Sequence, residues 1–465
     1  MDHVLGLECT ICGAKYEVDK VEYVCPKHGN DGILDVIYDY RLLAQRISPD
    51  VLADNPVRSI WRYLPLLPVD PEVAGRLMEG TVLASVGWTP LYFAPRLAAH
   101  LGLRYLWVKD DGRQPTASFK DRASAIAIVK TRELGYEVVT TASTGNAAAA
   151  LSGLCAAVAQ PSGSAESPRS VIFVPRTARQ AKIAQVLVFG ATVLLVDGTY
   201  DDAFELCLEA APEFGWYNRN TAYNPYMSEG KKTAAYEICE QLTTQLAPLA
   251  GARRTLAGVY DDAPLQAPDR IFIPVGDGCI IGGMHKGVRD LLALGWIDHM
   301  PKLMGVQAAG CSPLVDAWER GLGGSTVRAA RGVNSLVQVA MEMQPIEADT
   351  IADSISAGLP RDRIKALRAV VESDGAFVRV SDEEIIAAIP ALARACGIFA
   401  EPAAAAAYAG LVKAVERGLV DPDERVVVLA TGSGLKDVAT AIKSVAQPPV
   451  VSPDLADVRR VITRS

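Results

Sequence analysis

From about residue 85 onward, short apolar runs alternate with stretches whose polar and apolar positions suit helices. Residues 104–108 (RYLWV), 137–141 (EVVTT), 171–174, 192–196, 270–275, 303–307 and 425–430 (RVVVLA) are the apolar runs. Runs that stay apolar on both sides of a strand belong in parallel sheets covered by helices on each face. Between them, residues 121–134 predict a helix stopped at Gly135. Two stretches break the rhythm, 160–170 (rich in Ser and Pro) and 251–269, and both read as surface insertions. The Pro-rich tail after Gln447 reads as peripheral, and there is no internal repeat.

The first forty-odd residues follow another pattern. Strand-like alternation surrounds Cys9-Thr-Ile-Cys12 and Cys25-Pro-Lys-His28, two knuckles separated by twelve residues. Tetrahedral zinc takes Cys3His ligand sets with short spacing inside each pair, so Cys9, Cys12, Cys25 and His28 are candidate ligands of a structural zinc. The alternative is a ribbon that folds without metal.

Composition narrows the class. Of the 465 residues, 50% are apolar and 22% charged, an ordinary soluble balance. A net charge of -8 argues against nucleic acid and anionic membranes, which attract basic surfaces. No apolar run approaches the roughly 20 residues that span a bilayer, and the opening MDHVLGLECT lacks the pattern of a secretory signal. Nine cysteines, an odd number, fit a reducing cytoplasm better than a disulfide scaffold. We therefore expect a cytoplasmic enzyme acting on a small molecule.

Four segments carry the chemistry. In the first, Pro115-Thr-Ala-Ser-Phe-Lys120-Asp121-Arg122, Ser118 and Asp121 have the spacing of a capping box, which puts Lys120 in the first turn of a helix. The positive end of the helix dipole disfavours an ammonium there and helps keep the amine reactive. A neutral lysine amine is what imine formation with an aldehyde cofactor needs. A lysine near a helix start is more often a solvated charge; its company changes that reading. Thr141-Ala-Ser143-Thr144-Gly-Asn146 follows a strand and opens an Ala-rich helix, at the strand end where α/β sheets bind ligands. Gly276-Asp277-Gly278-Cys279-Ile280 sits between a strand and a helix, and its glycines and free N–H groups suit a phosphate. A dinucleotide site would want an acid at the end of the next strand, where Gln307 stands. The fourth loop, Thr431-Gly-Ser-Gly434, follows the strand RVVVLA.

Polar loops of this kind, one with a lysine and one suited to phosphate, resemble the fold type II pyridoxal-phosphate enzymes, and among them the threonine synthases. The shared stretches are Gly87-Trp-Thr-Pro-Leu91, Thr116–Arg122, Ser143–Asn146, Asn224-Pro-Tyr, Glu229-Gly-Lys-Lys-Thr233, Gly305-Val-Gln-Ala-Ala, Glu401-Pro-Ala and Thr431–Asp437. The resemblance implies a two-lobed α/β fold with parallel-sheet cores, pyridoxal 5'-phosphate held on Lys120 as a Schiff base, and Asn146 at its phenolic oxygen. It further implies Gly276, Asp277, Gly278, Cys279 and Ile280 around the cofactor phosphate, Thr431 at the pyridine nitrogen, and Ser143 and Thr144 on the substrate carboxylate. The expected division is a ribbon-like segment over 1–45, a large domain over 46–134 and 216–446, a small inserted domain over 135–215 and a tail over 447–465. We expect a homodimer.

The implied activity is elimination of phosphate from O-phosphohomoserine, or a close analogue, and addition of water to give L-threonine. The alternatives are β-elimination or β-replacement on serine, threonine or an O-activated analogue, and a paralogue retained only as a binding module. Departures from the family pattern bear on the substrate. Met227 stands where members carry an arginine for the substrate phosphate, Ala222 where a small hydroxyl residue is usual, Asp277 where Asn is usual and Ser433 where His is common. Lys231 or Lys232, one helical turn beyond Met227, can replace the lost charge, and the expectation is that Met227→Arg improves phosphohomoserine binding.

Overall fold

The computed structural model describes residues 1–143, 145–159, 168–176, 178, 180–246, 265–321 and 333–463. Thr144, residues 160–167 and residues 251–264, for which readings were made above, lie outside the described residues.

The N-terminal segment is a small antiparallel sheet of β1 (Val4–Cys9), β2 (Lys15–Tyr16) and β3 (Leu34–Tyr38), in the order β2-β1-β3. β3 buries every second residue, Leu34, Val36 and Tyr38, as a one-faced sheet requires.

The main sheet has six strands: β4 (Leu91–Phe93), β5 (Tyr105–Asp110), β10 (Arg270–Pro274), β11 (Lys302–Ala308), β12 (Ala376–Val380) and β13 (Arg425–Ala430). Their order is β12-β11-β10-β13-β5-β4, parallel except for the edge strand β4. A second sheet, β8-β7-β6-β9, is parallel throughout and consists of β6 (Val138–Ala142), β7 (Arg169–Pro175), β8 (Thr192–Val196) and β9 (Tyr217–Asn218). β6, β10 and the last five residues of β13 are buried throughout, which is why their sequences read as unbroken apolar runs.

Register aligns the loops. Asp110, the last residue of β5, lies opposite Ala430, the last of β13, and β10 and β11 run side by side to Pro274 and Val306. The segments leaving β5, β13 and β10 therefore emerge at one edge, carrying Lys120, Thr431 and Gly276 respectively. Those following β6 and β9 bring in Ser143 and Arg219.

The helix Lys120–Glu133 is buried from Asp121 to Thr131. A neighbouring helix, Met227–Lys231, comes so close that a Cβ on Gly230 would lie 2.0 Å from the carbonyl oxygen of Arg122. Only glycine permits that approach. The expected capping box is absent. Phe119 occupies the cap position without a side-chain hydrogen bond, and Ser118 Oγ has no partner among the described residues. Ala117 takes a left-handed φ of 62°, and Asp121 instead accepts hydrogen bonds from Thr116 N at 2.7 Å and from the Thr116 hydroxyl. The carboxylate thus ties down the loop before the helix rather than the N–H of its own cap. By contrast, Ser381 and Glu384 do form a capping box, at the start of Asp382–Cys396.

The second interruption, read as a surface insertion over 251–269, is not one throughout: Leu265 and Ala267, within that range, are buried in the core. The last helix, Leu455–Ile462, buries no residue. No helix among the described residues is long and apolar enough to cross a membrane.

Candidate active site

Lys120, Ser143, Asn146, Tyr200, Arg219, Thr221 and the loop Gly276–Ile280 surround one cavity of about 500 Å3, closed on the far side by Ser354, Ile355, Ser356 and Ala357. Lys120 reaches it from the first turn of its helix. Burial pushes its amine below the ordinary lysine value, and the nearby Arg219 cation adds to that shift. The result is a nucleophilic amine where an ammonium is disfavoured.

Behind Lys120 a fully buried ionic network fixes the start of the helix. Arg122 grips Asp111 through Nε–Oδ2 at 2.6 Å and Nη2–Oδ1 at 3.0 Å, and Glu237 through Nη1–Oε1 at 2.5 Å and Nη2–Oε2 at 2.8 Å. Lys109 Nζ donates to Glu237 Oε2 at 2.6 Å and to the Thr89 carbonyl at 2.7 Å. Two cations face two carboxylates, so the buried charges cancel. Burial by itself would raise Glu237, yet Arg122 and Lys109 hold it down to about 2 against an ordinary 4.5. In that interval the unfolded chain takes up a proton that the folded chain refuses, so this group's contribution is lost as pH falls from about 4.5 toward 2. Denaturant midpoints measured between pH 3 and 7 should therefore fall less steeply at the acid end for Glu237→Gln than for the wild type. An unchanged acid slope would show that Glu237 is not held low.

On the opposite wall, Gly278 has φ +92° and caps the helix Cys279–Ala293, whose free N–H groups face the loop. A Cβ on Gly276 would lie 2.9 Å from Ile355 Cα, so the loop fits only as glycine. The Asp277 carbonyl accepts from Asp362 N at 2.8 Å and its carboxylate from Arg361 N at 3.2 Å, leaving its side chain engaged away from a ligand. Asn146 Nδ2 donates to Glu401 at 2.8 and 3.1 Å, while its Oδ1 is buried with no partner among the described residues. Ser143 Oγ accepts from Gly145 N at 3.1 Å. Thr431 is buried with its carbonyl accepting from Phe119 N at 2.8 Å; it braces the lysine loop and is not among the residues lining the cavity.

The expectation for Met227 fails. Its side chain is 1% exposed and part of the main hydrophobic core, away from the cavity lining. An arginine there would bury an unpaired charge, so Met227→Arg is expected to destabilise the fold rather than improve binding. Lys232 is also spent elsewhere, on Glu229 at 2.7 Å and Asp290 at 2.9 Å under the ring of Tyr38. Lys231 alone turns toward the site, where its Nζ donates to Thr221 Oγ1. Arg219, Thr221 and Tyr200 were not singled out by sequence, and Glu401 entered only through the shared stretch Glu401-Pro-Ala, with no role assigned to it. Arg219 and Thr221 lie just upstream of Asn224-Pro, and only the fold shows that β9 delivers them to the cavity.

At the N-terminus, one ligand atom from each of Cys9, Cys12, Cys25 and His28 falls within 4.8 Å of the others. The ribbon holding them packs against the loop Gly276–Ile280 at Cys279. Ile33 packs with Ala222 and Cys279. Asp31 pairs with Arg363 at 2.7 Å and Asp35 with Lys365 at 2.6 Å, on the helix that directly follows Asp362.

A family model described as pyridoxal-phosphate dependent enzyme matches residues 82–432. The chain belongs to this family. Among curated relatives, a threonine synthase of Methanocaldococcus jannaschii is 36% identical over 98% of both chains, and one of Methanosarcina acetivorans is 38% identical over the same shares. A threonine synthase of Mycobacterium leprae is 35% identical over 81% of this chain and 88% of its own. Of solved structures, threonine deaminase isoform 2 from Solanum lycopersicum matches with a TM-score of 0.57 and 21% identity, over 81% of this chain and 93% of its own. Diaminopropionate ammonia lyase from Escherichia coli matches with a TM-score of 0.58 and 18% identity, over 84% and 93%. These two share the fold.

The cavity suits the cofactor of a pyridoxal-phosphate dependent enzyme. It combines an amine of lowered basicity, a glycine cradle opening a helix, and a buried amide oxygen without a partner. Together these can hold an aldehyde, a phosphate and a polar ring.

Proposed function

We propose that the protein eliminates phosphate from O-phosphohomoserine, or a close analogue, and adds water to give L-threonine. The observation that carries this is the match to two proteins named threonine synthase over 98% of the chain, which includes every cavity wall described above. When bound, pyridoxal 5'-phosphate supplies an electron sink for a carbanion. Lys120 Nζ would hold the cofactor covalently; once the substrate's amine has displaced it, the freed Lys120 amine would remove the proton at the substrate α-carbon and return protons at later positions of the substrate. The N–H groups of Gly276, Asp277, Gly278, Cys279 and Ile280 would hold the cofactor phosphate, Asn146 the phenolic oxygen, and Thr431 would stand toward the ring nitrogen. Ser143 and Thr144 would take the substrate carboxylate. Ile355 and Ala357 line the same cavity and would help keep water from the bound substrate. The reading extends to a homodimer in the cytoplasm, with residues 135–215 as the smaller of two lobes and no nucleic-acid or membrane partner.

The test is a panel of amino acids assayed for inorganic phosphate, ammonia and product. O-phosphohomoserine should give phosphate and threonine in equal amounts. Ammonia and a 2-oxo acid from serine or threonine, without phosphohomoserine turnover, would replace this reading with a dehydratase.

We also propose that Cys9, Cys12, Cys25 and His28 bind one structural zinc. Metal analysis of protein purified without chelator should give about one zinc per chain. Because the ribbon packs against Cys279 and the Asp362 helix, stripping the metal should also weaken cofactor retention. A stoichiometry near zero would leave a metal-free ribbon.

A further inference from the structure

Two buried cations at the cavity are not explained by the cofactor. Arg219 follows β9, its backbone N–H bonded to the Thr140 carbonyl at 2.8 Å. Its side chain is 1% exposed and lines the cavity. Nε donates to Ser124 Oγ at 3.3 Å, and Nη2 is buried with no partner among the described residues. Among the described residues it forms no ion pair with a carboxylate. Lys231 is equally buried and meets the cavity through Thr221, whose hydroxyl accepts from its Nζ.

A guanidinium offers five donors and stays charged, so leaving part of it buried and unpaired is costly unless an anion arrives to take the bonds. The carboxylates of this region are poor partners. Asp121 is engaged by Thr116, Asp277 by Arg361 N, and both oxygens of Asp362 are buried without hydrogen-bond partners among the described residues, with burial pushing all three acids above their ordinary range. The two cations show the same strain. Burial pulls Arg219 down to about 10 and Lys231 down to about 8, and Arg219 adds to the shift at Lys231. A cofactor phosphate at the loop Gly276–Ile280 already has the loop N–H groups and a helix N-terminus. The charge that Met227 does not provide is thus present on two other elements, the end of β9 and the last turn of Met227–Lys231.

We propose, resting on the threonine-forming reading, that Arg219, with Lys231 acting through Thr221, is a second phosphate subsite that binds the substrate's phosphate monoester. It sits beside the cofactor's phosphate loop and selects amino acids whose side chain ends in a dianion. Arg219 supplies directed donors; Lys231 supplies charge and orients the Thr221 hydroxyl.

The experiment uses the holoenzyme and four proteins: wild type, Arg219→Gln, Arg219→Lys and Lys231→Gln. Steady-state kinetics on O-phosphohomoserine are combined with two titrations read by the cofactor's visible absorbance. One uses 2-amino-5-phosphonopentanoate and the other uses 2-aminopentanoate, which lacks the phosphonate. Cofactor affinity is measured for each protein. Arg219→Gln should raise KM and the phosphonate Kd about ten- to a hundredfold, the range for one lost charge-assisted hydrogen bond. It should leave 2-aminopentanoate and the cofactor bound as in the wild type, and Arg219→Lys should recover part of the loss. If both amino acids weaken together, or cofactor affinity falls instead, the pair serves the cofactor's phosphate and the proposal is overturned. The two readings fail separately. A wild type that does not turn over O-phosphohomoserine, yet binds the phosphonate in an Arg219-dependent way, loses the threonine-forming reading and keeps the subsite. Turnover that does not depend on Arg219 keeps the reading and removes the subsite.

Discussion

Lys120→Ala should lower phosphate release from O-phosphohomoserine at least about a hundredfold to ten thousandfold, the usual contribution of a positioned base, and should abolish the visible band of covalently held cofactor. Three features of the site make the effect this large. The amine lies in the first turn of its helix at the cavity wall, burial keeps its basicity below that of an ordinary lysine, and the other lysine of the region, Lys231, is committed to Thr221. Lys120→Arg should be equally inactive, because a guanidinium neither forms the imine nor gives up its proton. Turnover is read from phosphate release and cofactor attachment from absorbance. A Lys120→Ala protein that keeps wild-type turnover would remove Lys120 from the mechanism.

The second large effect is on stability. Arg122→Met removes the one group that bridges Asp111 and Glu237, leaving Lys109 to balance two buried carboxylates. Removing one member of a buried ionic set typically costs about 3–5 kcal/mol, because the remaining charge stays desolvated. For a chain of 465 residues a loss of that size should lower the melting temperature by about 3–5 °C. Arg122→Lys should rescue little, since an ammonium cannot grip two carboxylates with paired N–H groups. As Arg122 adjoins Asp121 and Lys120, the surviving folded fraction should also hold the cofactor less tightly. Thermal unfolding of the apo and cofactor-loaded forms measures both effects, and an Arg122→Met protein as stable as the wild type would show that the network contributes nothing net.

Much of this architecture was legible in the chain because its strands are buried on both faces. The run 425–430 matches β13 residue for residue and is buried after its first residue, whereas 192–196 matches the bounds of β8 although that edge strand buries no residue; the polar loops follow strands as expected. The ribbon ligands were legible from spacing alone, since two short knuckles can converge whatever lies between them. Other features depended on distant parts of the chain. Ser118 and Asp121 have capping-box spacing, but the left-handed turn at Ala117 directs Asp121 to Thr116. Met227 aligned with a family arginine, yet its helix buries it in the core and presents Lys231 instead. Arg219 carries no local signal, because an arginine directly after a two-residue strand is ordinarily a surface charge. Its burial is decided by Thr140 and Ser124, which lie on other elements.

On the proposed mechanism Lys120, and not its buried neighbour Lys231, carries the cofactor. Borohydride reduction of the cofactor-loaded protein, followed by proteolysis and mass spectrometry, tests this directly. The visible band should bleach, and a reduced pyridoxyl group should appear on the peptide containing Ser118-Phe119-Lys120-Asp121. A label on Lys231, or on any other lysine with Lys120 unmodified, would contradict it.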